Sequence, residues 1–312
     1  MSGPVQPSSE PEADIGVSTI EVREGRTTNI GRLEIMRVLP TKGRRTIGPW
    51  CFVDLMSPDD VENPPPMEVG PHPHTGLATV TWLFAGSALH SDSLGTEQLI
   101  RPGELNLMTA GNGIAHAELG VETAAAPTTG GVMGAQMWIA QTETTRRGPS
   151  DFEHLSELPR VDLGSGEAHV LIGEFGGHSS DAIVDHPAVG LDLTLTTSTE
   201  IATDPNFEYG VVPIDRAVKV EDEIVEPGSL ALIPPGQDSL RIEARGGVGR
   251  VLVLGGEPLG EQIRMWWNFV ARTQDELTQS WRDWQSHDED RFGPVPSTLE
   301  RMDAPVPPWV KQ

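Results

Sequence analysis

Short runs of apolar and β-branched residues, cut by Gly, Pro and Asp, recur along the chain from Ile20 onward. The clearest, Leu77-Ala78-Thr79-Val80-Thr81-Trp82-Leu83-Phe84, is stopped by Ala85-Gly86. Comparable runs stand at Gln136–Ala140, His169–Gly173, Val189–Thr196, Gly210–Ile214, Ser229–Ile233 and Arg250–Leu254. Many short strands at this spacing predict an all-β protein, a sandwich or barrel. The 34 glycines and 27 prolines are more punctuation than a helical protein tolerates. One stretch has helical form. Thr273-Gln274-Asp275-Glu276 is a capping-box string, and Leu277, Trp281 and Trp284 follow at i, i+4 and i+7, which predicts a short C-terminal helix over 273–286.

An internal repeat points to two similar units. Arg101-Pro102-Gly103-Glu104-Leu105-Asn106-Leu107 is echoed by Glu226-Pro227-Gly228-Ser229-Leu230-Ala231-Leu232, and the register runs on through Gly111/Gly236 and Glu118/Glu243. Each copy reads as a Pro-Gly turn entering a strand, so each half predicts the same small barrel. The expected division is a disordered tail over 1–16, a first barrel over 17–142, a polar linker over 143–168, a second barrel with the helix over 169–291, and a C-terminal tail over 292–312. Within the linker, Asp151–Glu157 suggests a short helix.

Composition narrows the function classes. A length of 312 residues suits two domains, and no apolar run approaches the roughly 18 residues of a membrane span. The start, Met1-Ser2-Gly3-Pro4-Val5, lacks a basic then apolar leader, which makes the cytoplasm the expected compartment. A single cysteine, Cys51, excludes an intrachain disulfide and any Cys-x-x-Cys site; set between Trp50 and Phe52, it reads as a buried, inert thiol. The net charge of −24 argues against a nucleic-acid backbone as partner and in favour of solubility.

Chemistry concentrates in Pro71-His72-Pro73-His74-Thr75-Gly76 and in Gly111-Asn112-Gly113-Ile114-Ala115-His116-Ala117-Glu118. On a strand, residues i and i+2 share a face. His72 and His74 therefore project together, as do His116 and Glu118. If the two segments are neighbours, three imidazoles and one carboxylate converge, a mixed donor set suited to a divalent first-row metal with positions left open.

These strings resemble the pirin family of the cupin superfamily. Pro-His-Pro-His-x-Gly, His90-Ser91-Asp92-Ser93-x-Gly95, Met108-Thr109-Ala110-Gly111-x-Gly113-Ile114-x-His116-x-Glu118, Gly134-x-Gln136-x-Trp138 and Gly255-Gly256-Glu257-Pro258 running on to Trp266-Trp267-Asn268-Phe269-Val270 carry the resemblance, which spans about residues 17 to 290. It implies a bicupin, two tandem cupin β-barrels with one metal in the first. It also implies His72, His74, His116 and Glu118 as ligands, iron as the metal, and manganese, nickel, copper or zinc as substitutes. Some members cleave flavonols such as quercetin with dioxygen, and others are described as regulators that bind transcription factors or metabolic enzymes. The resemblance thus implies a quercetin 2,3-dioxygenase-like oxidoreductase, with Glu118 able to accept the substrate's hydroxyl proton, or else a redox-responsive regulator. A monomer is the expected state.

Met108 and Gln136 are candidate pocket residues by the same resemblance. In the repeat register the counterpart of His116 is Arg241, those of His72 and His74 fall near Ala202 and Asp204, and only Glu118 keeps a carboxylate counterpart, Glu243, so one metal per chain is expected. Ala78 stands where the family commonly has Glu. His90 reads as a hydrogen-bonding residue at a hairpin rather than part of a nucleophilic triad, and Trp266, Trp267, Trp281 and Trp284 as packing between domains.

Overall fold

The computed structural model describes residues 20–30, 33–56, 66–123 and 130–311. The expected tail over 1–16 lies outside them. Two barrels are present, each a seven-stranded sheet facing a four-stranded one, with every pairing antiparallel between strands. The large sheet of the first barrel runs Asp151–Leu155, Leu105–Thr109, Leu77–Ala85, Met133–Ala140, Trp50–Met56, Leu33–Leu39, Arg26–Ile30. Its small sheet runs Glu68–His74, Ile114–Gly120, Ala88–Asp92, Glu97–Ile100. In the second barrel the large sheet runs Glu21–Glu24, Ser229–Ile233, Glu208–Pro213, Gly249–Gly256, Ala188–Leu195, Gly166–Ile172, Arg160–Asp162, and the small sheet runs Ser198–Ala202, Ser239–Ala244, Val218–Val220, Glu223–Val225. Among the described residues the fold is the all-β bicupin with one C-terminal helix. Among the described residues no helix is long and apolar enough to cross a membrane.

The large sheets lie face to face, and strand periodicity explains why their strands read as unbroken apolar runs. Along Ser229–Ile233, Leu230 and Leu232 enter the core shared by the two barrels, whereas Ala231 and Ile233 fill the interior of the second. Leu252 and Leu254 alternate with Val251 and Val253 in the same way. Two indoles cross the shared core to polar partners: Trp82 Nε1 donates to Asp192 Oδ2 at 2.8 Å, and Trp50 Nε1 to the Gly255 carbonyl at 3.0 Å. The interiors differ in kind. The second is filled by Val, Leu and Ile, whereas the inward positions of the first include Asp54, Thr79, Thr81 and Gln136.

Three expectations need correction. Asp151–Leu155 is a strand, paired with Leu105–Thr109, and no helix forms there. Its spacing of Phe152 and Leu155 fits a helix locally, but an open sheet edge offers ladder hydrogen bonds that an isolated turn does not. The segment 143–168 therefore contributes strands to both large sheets rather than only linking them. The clustered tryptophans do not sit between the barrels. The helix Gln274–Gln285 starts with the expected reciprocal capping box of Thr273 and Glu276 and buries Leu277, Ser280 and Trp284. It packs with Phe269, Phe292 and Ala304 against Ala115 of the first barrel. The last residues fold back over it, with the Arg301 guanidinium 3.3 Å from the Trp284 ring centre and Trp284 Nε1 donating to the Met302 carbonyl.

The two ends of the described chain are exchanged. Glu21–Glu24 pairs with Ser229–Ile233 in the second barrel, and the chain then crosses at Gly25 into the first. A Cβ at Gly25 would lie 2.5 Å from the Gly228 carbonyl oxygen, so only glycine fits this crossing. Conversely, the hairpin Arg264–Trp266/Phe269–Ala271 and the helix lie on the first barrel.

Candidate metal centre

The histidine pair sits on an edge strand, which is where proline is tolerated. Pro71 and Pro73 alternate with His72 and His74, so the missing N–H groups face the free edge and the imidazoles face inward. The outward Pro71 carbonyl accepts from Met302 N at 2.9 Å. Across the ladder His116 is opposite His72, and Ile114 opposite His74. The three rings meet with centroids 4.3 to 5.1 Å apart, and their ligating nitrogens all lie within 4.8 Å of one another. Glu118 lines the same cavity but falls outside that cluster, because the ladder register shifts between His116 and Glu118.

Hydrogen bonds assign the basic nitrogens. His72 Nδ1 donates to the Gly70 carbonyl at 2.9 Å, which leaves Nε2 as the free base. Behind His116 stands an imidazole that does not reach the cluster: His116 Nδ1 lies 3.4 Å from His90 Nδ1, and His90 Nε2 is 3.1 Å from Asp92 Oδ2. Asp92 can only accept, so His90 carries its proton on Nε2 and accepts at Nδ1. His116 then donates from Nδ1 and keeps the Nε2 lone pair for the site. Asp92 is held by the Leu94 and Thr96 backbone N–H groups at 2.9 and 3.0 Å, and His90 stacks on Phe152 at 4.5 Å. Burial would raise the Asp92 carboxyl, but the bonds from His90 and Thr96 outweigh it and hold it below its ordinary value. The expected hydrogen-bonding role of His90 is therefore a specific one.

Burial, reinforced by neighbouring histidines, lowers the three imidazoles: His72 to about 4, and His74 and His116 well below the ordinary value. All three are neutral at physiological pH, the state a metal requires. Burial pushes the Glu118 carboxyl up to about 7. Two buried polar atoms beside the cluster, Thr75 Oγ1 and Trp138 Nε1, make no hydrogen bond. Buried polar groups without partners next to three neutral imidazoles fit a ligand or ion at this place. A neutral three-nitrogen, one-carboxylate set fits a first-row divalent ion with open positions better than a closed structural zinc.

The cluster opens on a cavity of about 260 Å³. Phe52 and Trp138, stacked at 3.8 Å, form one wall, and the Arg37 guanidinium covers the Phe52 ring at 4.4 Å. Arg37 donates from Nε and an Nη to the two oxygens of Asp54, each at 2.7 Å. Burial nonetheless lifts Asp54 to about 6 against that pairing. Gln136 lines the cavity and accepts from the Thr81 hydroxyl at 2.9 Å. Met108 does not line it; it packs with Ala110, Ile114 and Phe152. Ala78 faces the core shared by the barrels, so a carboxylate there would point away from the cavity, and its absence costs the site nothing. Burial pushes the Cys51 thiol up to about 12, in keeping with an inert side chain.

In the second barrel, Arg241 is paired with Glu200 and Glu243 with Ser198, and all four are exposed on its outside. The inward positions are Thr199, Ile201, Leu240 and Ile242, all buried. The repeat register slips by one past Gly236, which exchanges the faces of the strand. The conclusion that this barrel cannot build the same site is unchanged, but aliphatic packing is the reason.

Comparison with known proteins agrees with this architecture. The Pirin family matches residues 32–139, and the Pirin C-terminal cupin domain matches residues 189–292. A crystal structure of quercetin 2,3-dioxygenase from Acinetobacter baumannii superposes with a TM-score of 0.86 at 40% identity, covering 94% of this chain and 97% of that one. A Pseudomonas aeruginosa protein, whose name provisionally makes it a quercetin 2,3-dioxygenase, is 39% identical over 89% of this chain and 87% of its own length. A pirin-like protein of Caulobacter vibrioides is 33% identical over 85% of this chain and 92% of its own. With both barrels matched and these relatives covered nearly end to end, the chain belongs to the pirin family of the cupin superfamily.

Proposed function

We propose that this pirin is a metal-dependent dioxygenase of a small, flat, hydroxylated aromatic, with a flavonol such as quercetin as the reference substrate. The observation that carries the reading is the convergence of three neutral imidazoles and the Glu118 carboxylate on a cavity with aromatic walls. A volume of about 260 Å³ stands just below the roughly 300 Å³ at which ligand pockets begin, which favours a small molecule over a bulky one. The activity named for the Acinetobacter and Pseudomonas relatives supports the same class.

We assign His72, His74, His116 and Glu118 as ligands of one divalent ion per chain, iron first. Once bound, the ion supplies Lewis acidity toward a substrate oxygen and one-electron chemistry toward dioxygen. The protein's own groups do the rest. Trp138, backed by the stacked Phe52, gives the cavity an aromatic wall, and the Arg37–Asp54 pair sets the polarity of the same wall. Leu33, Ile35, Met56 and Met67 keep water from the interior. Glu118, which lines the same cavity, is the carboxylate we assign to take up the substrate's hydroxyl proton and return it.

The test is aerobic incubation of iron-loaded protein with quercetin. Flavonol absorbance should fade only in air and only with metal, with carbon monoxide released in step. Glu118→Gln should lose turnover by about a hundredfold or more, the usual contribution of a positioned base. Flavonol loss no faster than with free iron at equal concentration would end the enzyme reading.

A further inference from the structure

The cavity of the first barrel is walled in part by residues that follow the second barrel in sequence. The hairpin Arg264–Trp266/Phe269–Ala271 turns at Trp267 and Asn268, and both line the cavity beside the histidines. Trp267 has a φ of 52°, in the left-handed region. Two-residue hairpin turns take Asn and Gly at such positions, because a bulky side chain is strained there. The surroundings hold it in place from both sides. Trp266 Nε1 donates to the Pro305 carbonyl at 3.0 Å, and its ring meets Trp309 edge-on at 5.4 Å. On the other arm Phe269 is fully buried, and Val270 N donates to the Thr75 carbonyl at 3.0 Å, next to His74. Gly76 makes the room: a Cβ there would stand 2.4 Å from the Val270 carbonyl oxygen. A strained conformation kept by so many contacts, at the edge of a ligand cavity, is where strain serves recognition.

We propose that Trp267 is a specificity-determining residue. Its ring supplies a second aromatic wall beside the Phe52–Trp138 stack, so that a ligand must be planar to reach the histidines between surfaces from the two halves of the chain. The inference rests on the reading of the cavity as a site for a flat aromatic substrate. It goes beyond that reading in naming what selects shape. Quercetin is planar, and its dihydro form is puckered in the central ring, so the two differ in the property that Trp267 is placed to sense.

The experiment is anaerobic spectral titration of iron-loaded wild type, Trp267→Phe and Trp267→Gly with quercetin and dihydroquercetin, alongside metal content and Tm. Trp267→Gly should weaken quercetin binding about tenfold, the size of one aromatic stacking contact, and dihydroquercetin binding much less. Its metal content should be unchanged; glycine relieves the turn but gives up the packing of the indole on Phe269, so Tm is read to show that the variant still melts cooperatively. Trp267→Phe should keep most of the quercetin affinity. If Trp267→Gly retains metal and binds quercetin as wild type does, or loses both flavonoids equally, the proposal is overturned and the assignment of function stands. If wild type itself binds neither flavonoid more tightly than free iron does, the function reading falls and takes this inference with it.

Discussion

Removing the His90 imidazole would leave the Nδ1 proton of His116 facing the ring of Phe152 with no acceptor. We expect His90→Ala to weaken metal binding about 10- to 100-fold, as loss of an outer hydrogen bond to a ligating histidine does elsewhere. His90→Asn, which offers an amide oxygen near the lost Nδ1, should restore part of that affinity. Competition with a chromophoric chelator, together with the visible spectrum of cobalt-loaded protein, measures both. Equal metal affinity in wild type and His90→Ala would show that His90 only packs. The candidate ligands were legible in the sequence because spacing of i and i+2 on a strand requires nothing beyond local geometry. Arg37, Asp54 and Trp267 were not. Arg37 and Asp54 meet through the pairing of two strands, and Trp267 arrives from a hairpin about 150 residues beyond His116, the last histidine of the cluster. Met108 failed as a pocket residue for a related reason, since position along a motif does not say which part of an interior a side chain fills.

At the scale of elements, the helix Gln274–Gln285 shows both what local chemistry predicts and what it omits. The capping box was readable from Thr273 and Glu276 alone. Its second use was not: the Glu276 carboxylate also accepts from Arg146 at 3.0 Å and from Arg147, tying the helix start to the loop that leaves the first barrel. Burial would raise this carboxyl, but the Arg272 and Thr273 backbone N–H groups and the two guanidiniums outweigh it and hold it at about 2. A group depressed from 4.5 in the folded state binds fewer protons there than when unfolded. Its stabilisation is therefore complete above 4.5 and lost as pH falls from there through about 2. Thermal melts of wild type and Glu276→Gln should differ most near neutrality and converge toward pH ~2. A gap that stays constant across that range would remove the ion pairs from the account. Thr273→Ala, which deletes the cap itself, should cost about 1 kcal/mol at neutral pH. The strand Asp151–Leu155 shows the converse. Its helix-compatible pattern was overridden by a sheet edge that no short window of sequence reveals.

For the molecule as a whole, the exchange of terminal segments makes the two barrels interdependent. Cutting the chain after Glu157 would leave the first fragment without the hairpin and helix that cover it. The second would lack the strand Glu21–Glu24 and the apolar face of its partner sheet. We expect fragments 1–157 and 158–312 to be insoluble when expressed singly and to co-purify as a folded complex when expressed together, with size-exclusion chromatography and melting curves as the readout. A soluble, cooperatively melting first fragment would show the exchange to be dispensable. The tandem architecture itself was legible from the Pro-Gly repeat, but the exchange was not, because a four-residue strand carries no label for the sheet it joins. The crossing also has a consequence in time. The last histidine of the cluster, His116, is made 155 residues before Ala271 at the end of the covering hairpin. At about 5–20 residues per second, the four candidate ligands leave the ribosome roughly 8–30 s before the wall that closes over them. Over that interval the cluster residues stay open to solvent, because the residues that wall the cavity at Trp267 and Asn268 have not yet been made.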